Sequence, residues 1–322
     1  MTKIVFLGTP LYVMPVLNLL HKTFKSGSGE SPIVAVVTQP PKPTGRKQKL
    51  SYSPVDTWAH KKKLPIFFDA GKLLKEGVKA DIGILASYGA IIPKEVISHF
   101  PHGILNIHPS LLPKWRGASP VQATLVAGEG QAGATIIKID ELMDHGPIIS
   151  QFSEEILPSD TTETLREKLF ARSAEVLTAL IEPYLMGKIN LRKQNHTDAT
   201  YTKLIKREHG FIPPEYINAA LQGKALKDKW ETGFLKDFSV KPTPQSLERF
   251  IRAMQPWPVS WTYVQLSKRQ EVKGKRLKIL KAHLKPLNIN HQSLVIDEVQ
   301  LEGKNPVSWK QFKDGYTTAT FL

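Results

Sequence analysis

The strongest constraint on this chain's fold is the alternation, over its first 150 residues, of short apolar runs with longer amphipathic stretches. Candidate strands are Lys3–Leu7, Ile33–Thr38, Leu64–Phe67, Asp81–Ala86, Gly103–His108 and Ala134–Ile139. Several are apolar at consecutive positions, as strands covered on both faces of a parallel sheet must be. Between them, Tyr12–His21, Pro54–Lys62, Pro93–Phe100 and Ser119–Val126 read as helices. That alternation predicts a doubly wound α/β domain with a mostly parallel sheet. A longer helix from about Thr162 to Leu185, with Ser159-Asp160-Thr161 as its cap region, closes it.

Beyond this point the period changes. Lys188–Lys203 is polar and reads as a linker. After a helical Glu248–Met254 come short alternating segments at Thr262–Leu266, Leu277–Ala282, Ser293–Val299 and Tyr316–Phe321. Short strands separated by turns predict a smaller C-terminal β-barrel of OB-like type. A chain of 322 residues exceeds what one core usually organises. The expected division is residues 1–187, a linker at 188–204, and residues 205–322.

The first strand runs into Gly8-Thr9-Pro10 and lacks G-x-G-x-x-G. The first domain is thus expected to be Rossmann-like without the dinucleotide phosphate site, which excludes NAD. No run approaches ~20 consecutive apolar residues, so no membrane span is expected. Met1-Thr2-Lys3 leads straight into Ile4-Val5-Phe6-Leu7, unlike a signal or transit peptide. Without cysteine there is no disulfide and no thiolate zinc site, and a cytoplasmic location is the simplest expectation. The net charge of +15 has two readings. From Ile205 onward there are 20 basic and 11 acidic residues, against 24 and 18 before it. This is either a solvated basic surface or the footprint of a polyanionic partner held mostly by the C-terminal part.

Asn106 and His108 lie two apart at the end of a predicted strand. Residues i and i+2 share a face, so amide and imidazole point together into the crevice where such sheets bind ligands. Asp144 follows in the next strand–loop unit, within Met143-Asp144-His145-Gly146. If the two strands are neighbours, its carboxylate reaches the imidazole. Taken singly, a histidine is more often a hydrogen-bonded structural residue, and such an aspartate more often closes an Asx-type turn. His102, His108, His145 and Asp144 match no recurrent ligand spacing such as H-E-x-x-H, so no metal is expected. Ser110-Leu111-Leu112-Pro113-Lys114-Trp115-Arg116-Gly117-Ala118-Ser119-Pro120 intervenes, a stiff loop over the same crevice.

Asn106-Ile107-His108, this run and Asp144 together resemble the signature of the folate-dependent formyltransferase family. Phe6-Leu7-Gly8-Thr9-Pro10, the stretch from Val37-Thr38-Gln39-Pro40 through Gly45-Arg46 to Ser53-Pro54-Val55, and Ile251–Pro258 are similar to its methionyl-tRNA formyltransferase branch. The match is close over about residues 3–200, patchy to 248, renewed at 249–261 and loose thereafter. The resemblance implies transfer of a formyl group from 10-formyltetrahydrofolate to the amine of initiator methionyl-tRNA, for translation initiation. The catalytic signature alone is shared with transferases acting on glycinamide ribonucleotide or sugar amines, and with 10-formyltetrahydrofolate hydrolases. The Gln39–Ser53 loop and Pro256-Trp257-Pro258 are what point to tRNA.

On that resemblance Asn106, His108 and Asp144 are catalytic. A neutral amine attacks the formyl carbon, and Asn106 and a protonated His108 donate to the oxygen that gathers charge. Asp144 orients His108 and helps remove the amine proton. The resemblance places the pterin against Ser110, Leu111, Leu112 and Pro113, and against Ala86, Tyr88, Ile91 and Ile92. Ile91 and Ile92 read equally well as core. Lys42, Arg46, Lys47 and Lys49 of the Gln39–Ser53 loop would meet RNA phosphates, Arg46 also base edges. Lys273, Lys275 and Lys278 would track the tRNA backbone without reading sequence. The partners implied are initiator methionyl-tRNA and the folate co-substrate, with no membrane and a monomeric enzyme. Pro109 and Pro147 depart from the family pattern, and Glu208–Lys241 fits it poorly and reads as an insertion. Rival readings are a sugar-amine formyltransferase, a formyltetrahydrofolate hydrolase, and an RNA-binding protein with a decayed centre.

Overall fold

The apolar runs form strands whose two faces serve two different cores. The computed structural model describes residues 2–44, 48–266, 274–289 and 291–322. Strands β1 (Ile4–Gly8), β2 (Ile33–Val37), β3 (Ile66–Phe67), β4 (Ile82–Ala86), β5 (Ile104–His108), β6 (Gln131–Lys138) and β7 (Ile148–Glu155) form one sheet. Their order is β7-β6-β5-β4-β1-β2-β3. The β1–β2, β1–β4, β2–β3 and β4–β5 pairs are parallel, whereas β6 runs antiparallel to β5. On one face Ile4 and Phe6 pack with Leu17, Leu20, Phe170 and Leu177. On the other, Val5 and Leu7 pack with Leu73, Val96 and Phe100. Each such side chain contributes about 1.5–3 kcal/mol by leaving water, which is why β1 has no polar position. Gly8 closes β1 against β4, since a Cβ there would stand 2.9 Å from the Ala86 carbonyl.

The chain divides into two compact units, each drawn from several stretches of sequence. Met1–Arg116, Gly133–Glu154 and Arg166–Ala199 make one, which carries this sheet; Gly117–Ala132, Glu155–Leu165 and Thr200–Leu322 make the other. The second unit holds a five-stranded antiparallel sheet of β8 (Ser260–Gln265), β9 (Lys275–Asn288), β10 (His291–Leu301), β11 (Val307–Ser308) and β12 (Thr320–Phe321). The strand order is β11-β10-β9-β8-β12. Helix Pro244–Ala253 starts at a Thr243–Ser246 capping box and buries Leu247, Phe250 and Ile251.

The structure adds elements that the period of the sequence does not reveal. Strand β7 begins with buried Ile148 and Ile149 but continues half-exposed through Ser150-Gln151-Phe152, so it lacks a clean alternation. Helix Lys72–Lys75 is added, a single turn too short to print a helical period, as are helices Pro214–Leu221 and Trp309–Gly315. The last of these, capped by Ser308, carries the chain to Gly315, leaving only Thr320–Phe321 as strand where Tyr316–Phe321 was expected. The helix expected at Pro93–Phe100 is a single turn, Lys94–Ile97. Among the described residues no helix is long and apolar enough to cross a membrane.

Candidate active site

Strand β5 presents Asn106 and His108, both buried, and β6 beside it leads into the loop that carries Asp144. Lys138 N at the end of β6 donates to Pro147 O at 3.0 Å, closing that loop at its base. Asp144 Oδ1 lies 3.5 Å from His108 Nδ1 and 3.5 Å from Asn106 Nδ2. Three side chains from two neighbouring strand ends therefore converge on one point. Both contacts are long for hydrogen bonds.

The far side of the imidazole is fixed. His108 Nε2 is 3.0 Å from the Trp115 carbonyl oxygen, which can only accept, so Nε2 carries a hydrogen. Nδ1 then presents a hydrogen toward Asp144 only in the protonated ring. Trp115 and Asp144 both take left-handed backbone conformations, with φ of 59° and 52°. Such residues persist only where the surroundings hold them, and they gather at functional sites. Gly146, two residues on, is pressed against the Lys138 carbonyl so closely that no Cβ would fit.

The Ser110–Pro113 loop is held by one hydroxyl from β6. Thr135 Oγ1 donates to Ser110 O at 2.6 Å and accepts from Leu112 N at 3.1 Å and Gln151 Nε2 at 2.9 Å. Gln151 Nε2 also donates to Leu112 O, and Ser110 Oγ to Lys114 O. Ser110 and Leu112 are buried, while Leu111 and Pro113 are half-exposed. Thr135 is absent from the sequence-derived site, although a lone hydroxyl inside the apolar run Ala132–Ile137 is the signal that marks it.

At the end of β4, Ala86 and Tyr88 are core residues. Burial, then the Asp69 charge, pushes the Tyr88 phenol up from its ordinary value. The Tyr88 carbonyl accepts from Thr9 Oγ1 at 2.9 Å, tying this loop to the end of β1. Ile92 packs against the core, but Ile91 stands 94% exposed, so core burial does not account for it. Ile91 and the half-exposed Leu111 leave apolar surface open to solvent.

Lys42 and Lys49 belong to an exposed hairpin, Lys42–Thr44 paired with Lys49–Ser51. The register Lys42↔Ser51 and Thr44↔Lys49 puts both lysines on one face. Arg46, Lys47 and Lys273 lie outside the described residues. On β9, Leu277 and Ile279 are buried, so Arg276 and Lys278 occupy the opposite face and Lys275 shares the parity of Leu277. The β9–β10 register shifts around Leu280, and beyond it Lys281, His283 and Lys285 are exposed. The Arg276 guanidinium lies 4.2 Å from the centre of the Trp261 ring.

Comparison with known proteins identifies the fold and the family. The formyl transferase family matches residues 2–181, and the formyl transferase C-terminal domain matches residues 241–293. The methionyl-tRNA formyltransferase of Buchnera aphidicola subsp. Schizaphis graminum is 32% identical over 95% of this chain and 93% of its own length. That of Thermus thermophilus is 31% identical over 98% of this chain and 97% of its own. Among solved structures, a methionyl-tRNA formyltransferase from Clostridium thermocellum superposes with a TM-score of 0.53 at 17% identity, covering 94% of this chain and 99% of that one. An N-formyltransferase from Helicobacter canadensis gives 0.60 at 16% identity, over 96% and 99%. These two structural likenesses establish the shared fold, and the closer sequence matches carry the assignment further. The chain belongs to the methionyl-tRNA formyltransferase family of formyl transferases.

Proposed function

We propose that this enzyme transfers the formyl group of 10-formyltetrahydrofolate to the free amine of initiator methionyl-tRNA. The observation that carries the reaction is the convergence of Asn106 Nδ2 and His108 Nδ1 on Asp144 Oδ1. Asn106 and a protonated His108 donate to the formyl oxygen as its carbon becomes tetrahedral, where preorganised donors in a dry site are worth most. The Trp115 carbonyl holds the ring through Nε2, which leaves Nδ1 as the working nitrogen. Asp144 aims Asn106 and His108 and accepts the proton that the attacking amine gives up. As the new C–N bond forms, the bond from the formyl carbon to N10 of the folate breaks, and the proton passes to that nitrogen, releasing tetrahydrofolate. The folate supplies the activated formyl group when bound; Ser110–Pro113, Leu111 above all, and Ile91 with Ile92 flank its ring. Full-length similarity to methionyl-tRNA formyltransferases supports the acceptor, with residues 1–187 carrying the catalytic side chains and residues 205–322 docking tRNA. Lys42, Arg46, Lys47 and Lys49 engage the RNA near the reacting end, and Lys273, Lys275 and Lys278 engage its backbone. The enzyme acts as a monomer in the cytoplasm.

The test is to offer labelled formyl donor with charged initiator tRNA, charged elongator tRNA, a sugar amine, or no acceptor. Label is expected in the initiator aminoacyl-tRNA. Preferential labelling of the sugar amine, or donor turnover without acceptor, would replace the proposal with a sugar-amine transferase or a hydrolase.

A further inference from the structure

The loop that presents Asp144 is gripped from a segment far along the chain. Gln194 lies in the polar stretch whose composition reads as a linker, yet it is buried. Its Nε2 donates to Asp144 O at 2.9 Å and to Gly146 O at 2.8 Å, so one amide straddles His145. Its Oε1 accepts from Arg116 Nη2 at 2.7 Å, and Arg116 is itself buried. The orientation of the Gln194 amide follows from these partners, because a guanidinium can only donate and carbonyls can only accept.

A second hold lies beside the first. Arg116 Nη2 is 2.8 Å from His196 Nδ1, which must therefore accept and carry no hydrogen. The His196 ring stacks on His145 with centroids 3.9 Å apart and planes at 8°. His145 Nδ1 in turn lies 2.7 Å from Asp140 Oδ2. Residues 194–196 thus clasp both sides of the residue that follows Asp144.

We propose that Gln194, held by Arg116, is a positioning residue for Asp144, fixing the left-handed backbone from which the carboxylate faces His108 and Asn106. This rests on the reading of those three residues as the reacting centre. A misplacement of about 1 Å at a reacting group costs up to ~10²-fold in rate, so a loosened carboxylate should be felt in turnover and little in binding.

Gln194→Met keeps the side-chain length and removes every hydrogen bond, while Gln194→Glu keeps an acceptor for Arg116 and loses both donations. Each should lower kcat by ~10- to ~100-fold and leave KM for folate and tRNA within about twofold. On an Asp144→Asn background Gln194→Met should cost little further in single-turnover rate, because the two act as one unit. Amide hydrogen exchange over residues 141–146 should accelerate in Gln194→Met. Full kcat in Gln194→Met, or in Gln194→Glu, would overturn the proposal. So would an undiminished rate loss on the Asp144→Asn background, or unchanged exchange in the loop. Failure of the parent to transfer formyl at all would instead remove the functional reading, and the exchange measurement would still test the clasp.

Discussion

At the scale of the residue, a group can face two ways and be judged on both. His108 gives one nitrogen to the Trp115 carbonyl and turns the other toward Asp144. His108→Ala should therefore lower kcat by ~10²-fold or more. It should also cost about 1–3 kcal/mol of stability, since it removes a buried hydrogen bond. Asn106→Ala should lower kcat comparably with a smaller change in Tm, because its contact with Asp144 is long. Steady-state kinetics and thermal denaturation on the same preparations separate the two effects, and near-parental turnover in both variants would reject their roles. Asn106 and His108 were legible because a two-residue spacing on a strand fixes a common face. Gln194 was not, because a side chain bonded to carbonyls 48 and 50 residues away leaves no mark in any local period.

Elements were legible in proportion to how fully they are buried. β1, β2 and β4 are apolar at every or nearly every position and stand within a residue or so of their expected places. β7 was hidden by its mixed exposure, and the one-turn helix at Lys72–Lys75 by its length. The loop that follows β5 carries a prediction of its own. Thr135 joins Ser110 O, Leu112 N and Gln151 through a single hydroxyl, from a fully buried position. Thr135→Val keeps the shape and strands those partners, at a cost of about 1–3 kcal/mol. If Ser110–Pro113 flank the pterin, folate affinity should fall severalfold while tRNA affinity stays near that of the parent. Calorimetric titration of each ligand decides this, and an unchanged folate Kd would detach the loop from the folate site.

For the whole molecule, charge sets long-range behaviour. The excess of basic over acidic residues is densest after Ile205, and Lys278, Lys281 and Lys285 line much of β9 away from Leu277 and Ile279. If that strand meets RNA phosphates, affinity should fall with salt at a slope near −0.9 per neutralised phosphate, by analogy with B-DNA. Replacing the three lysines with glutamine should weaken tRNA binding and flatten the slope, with folate binding unaltered. Superimposable salt titrations for variant and parent would leave the charge as a solvated face.

The clasp on the Asp144 loop has a further consequence, for the order in which the molecule comes into being. Arg116 and Gln194 are 78 residues apart, and the carboxylate loop lies between them. Contacts of such long separation are entropically expensive to close and form late. A chain emerging from the ribosome holds Asn106, His108 and Asp144 well before residue 194 arrives. On the role proposed for Gln194, full turnover is thus a late gain of synthesis, reached when the segment at 194–196 has been made and can hold the Asp144 loop.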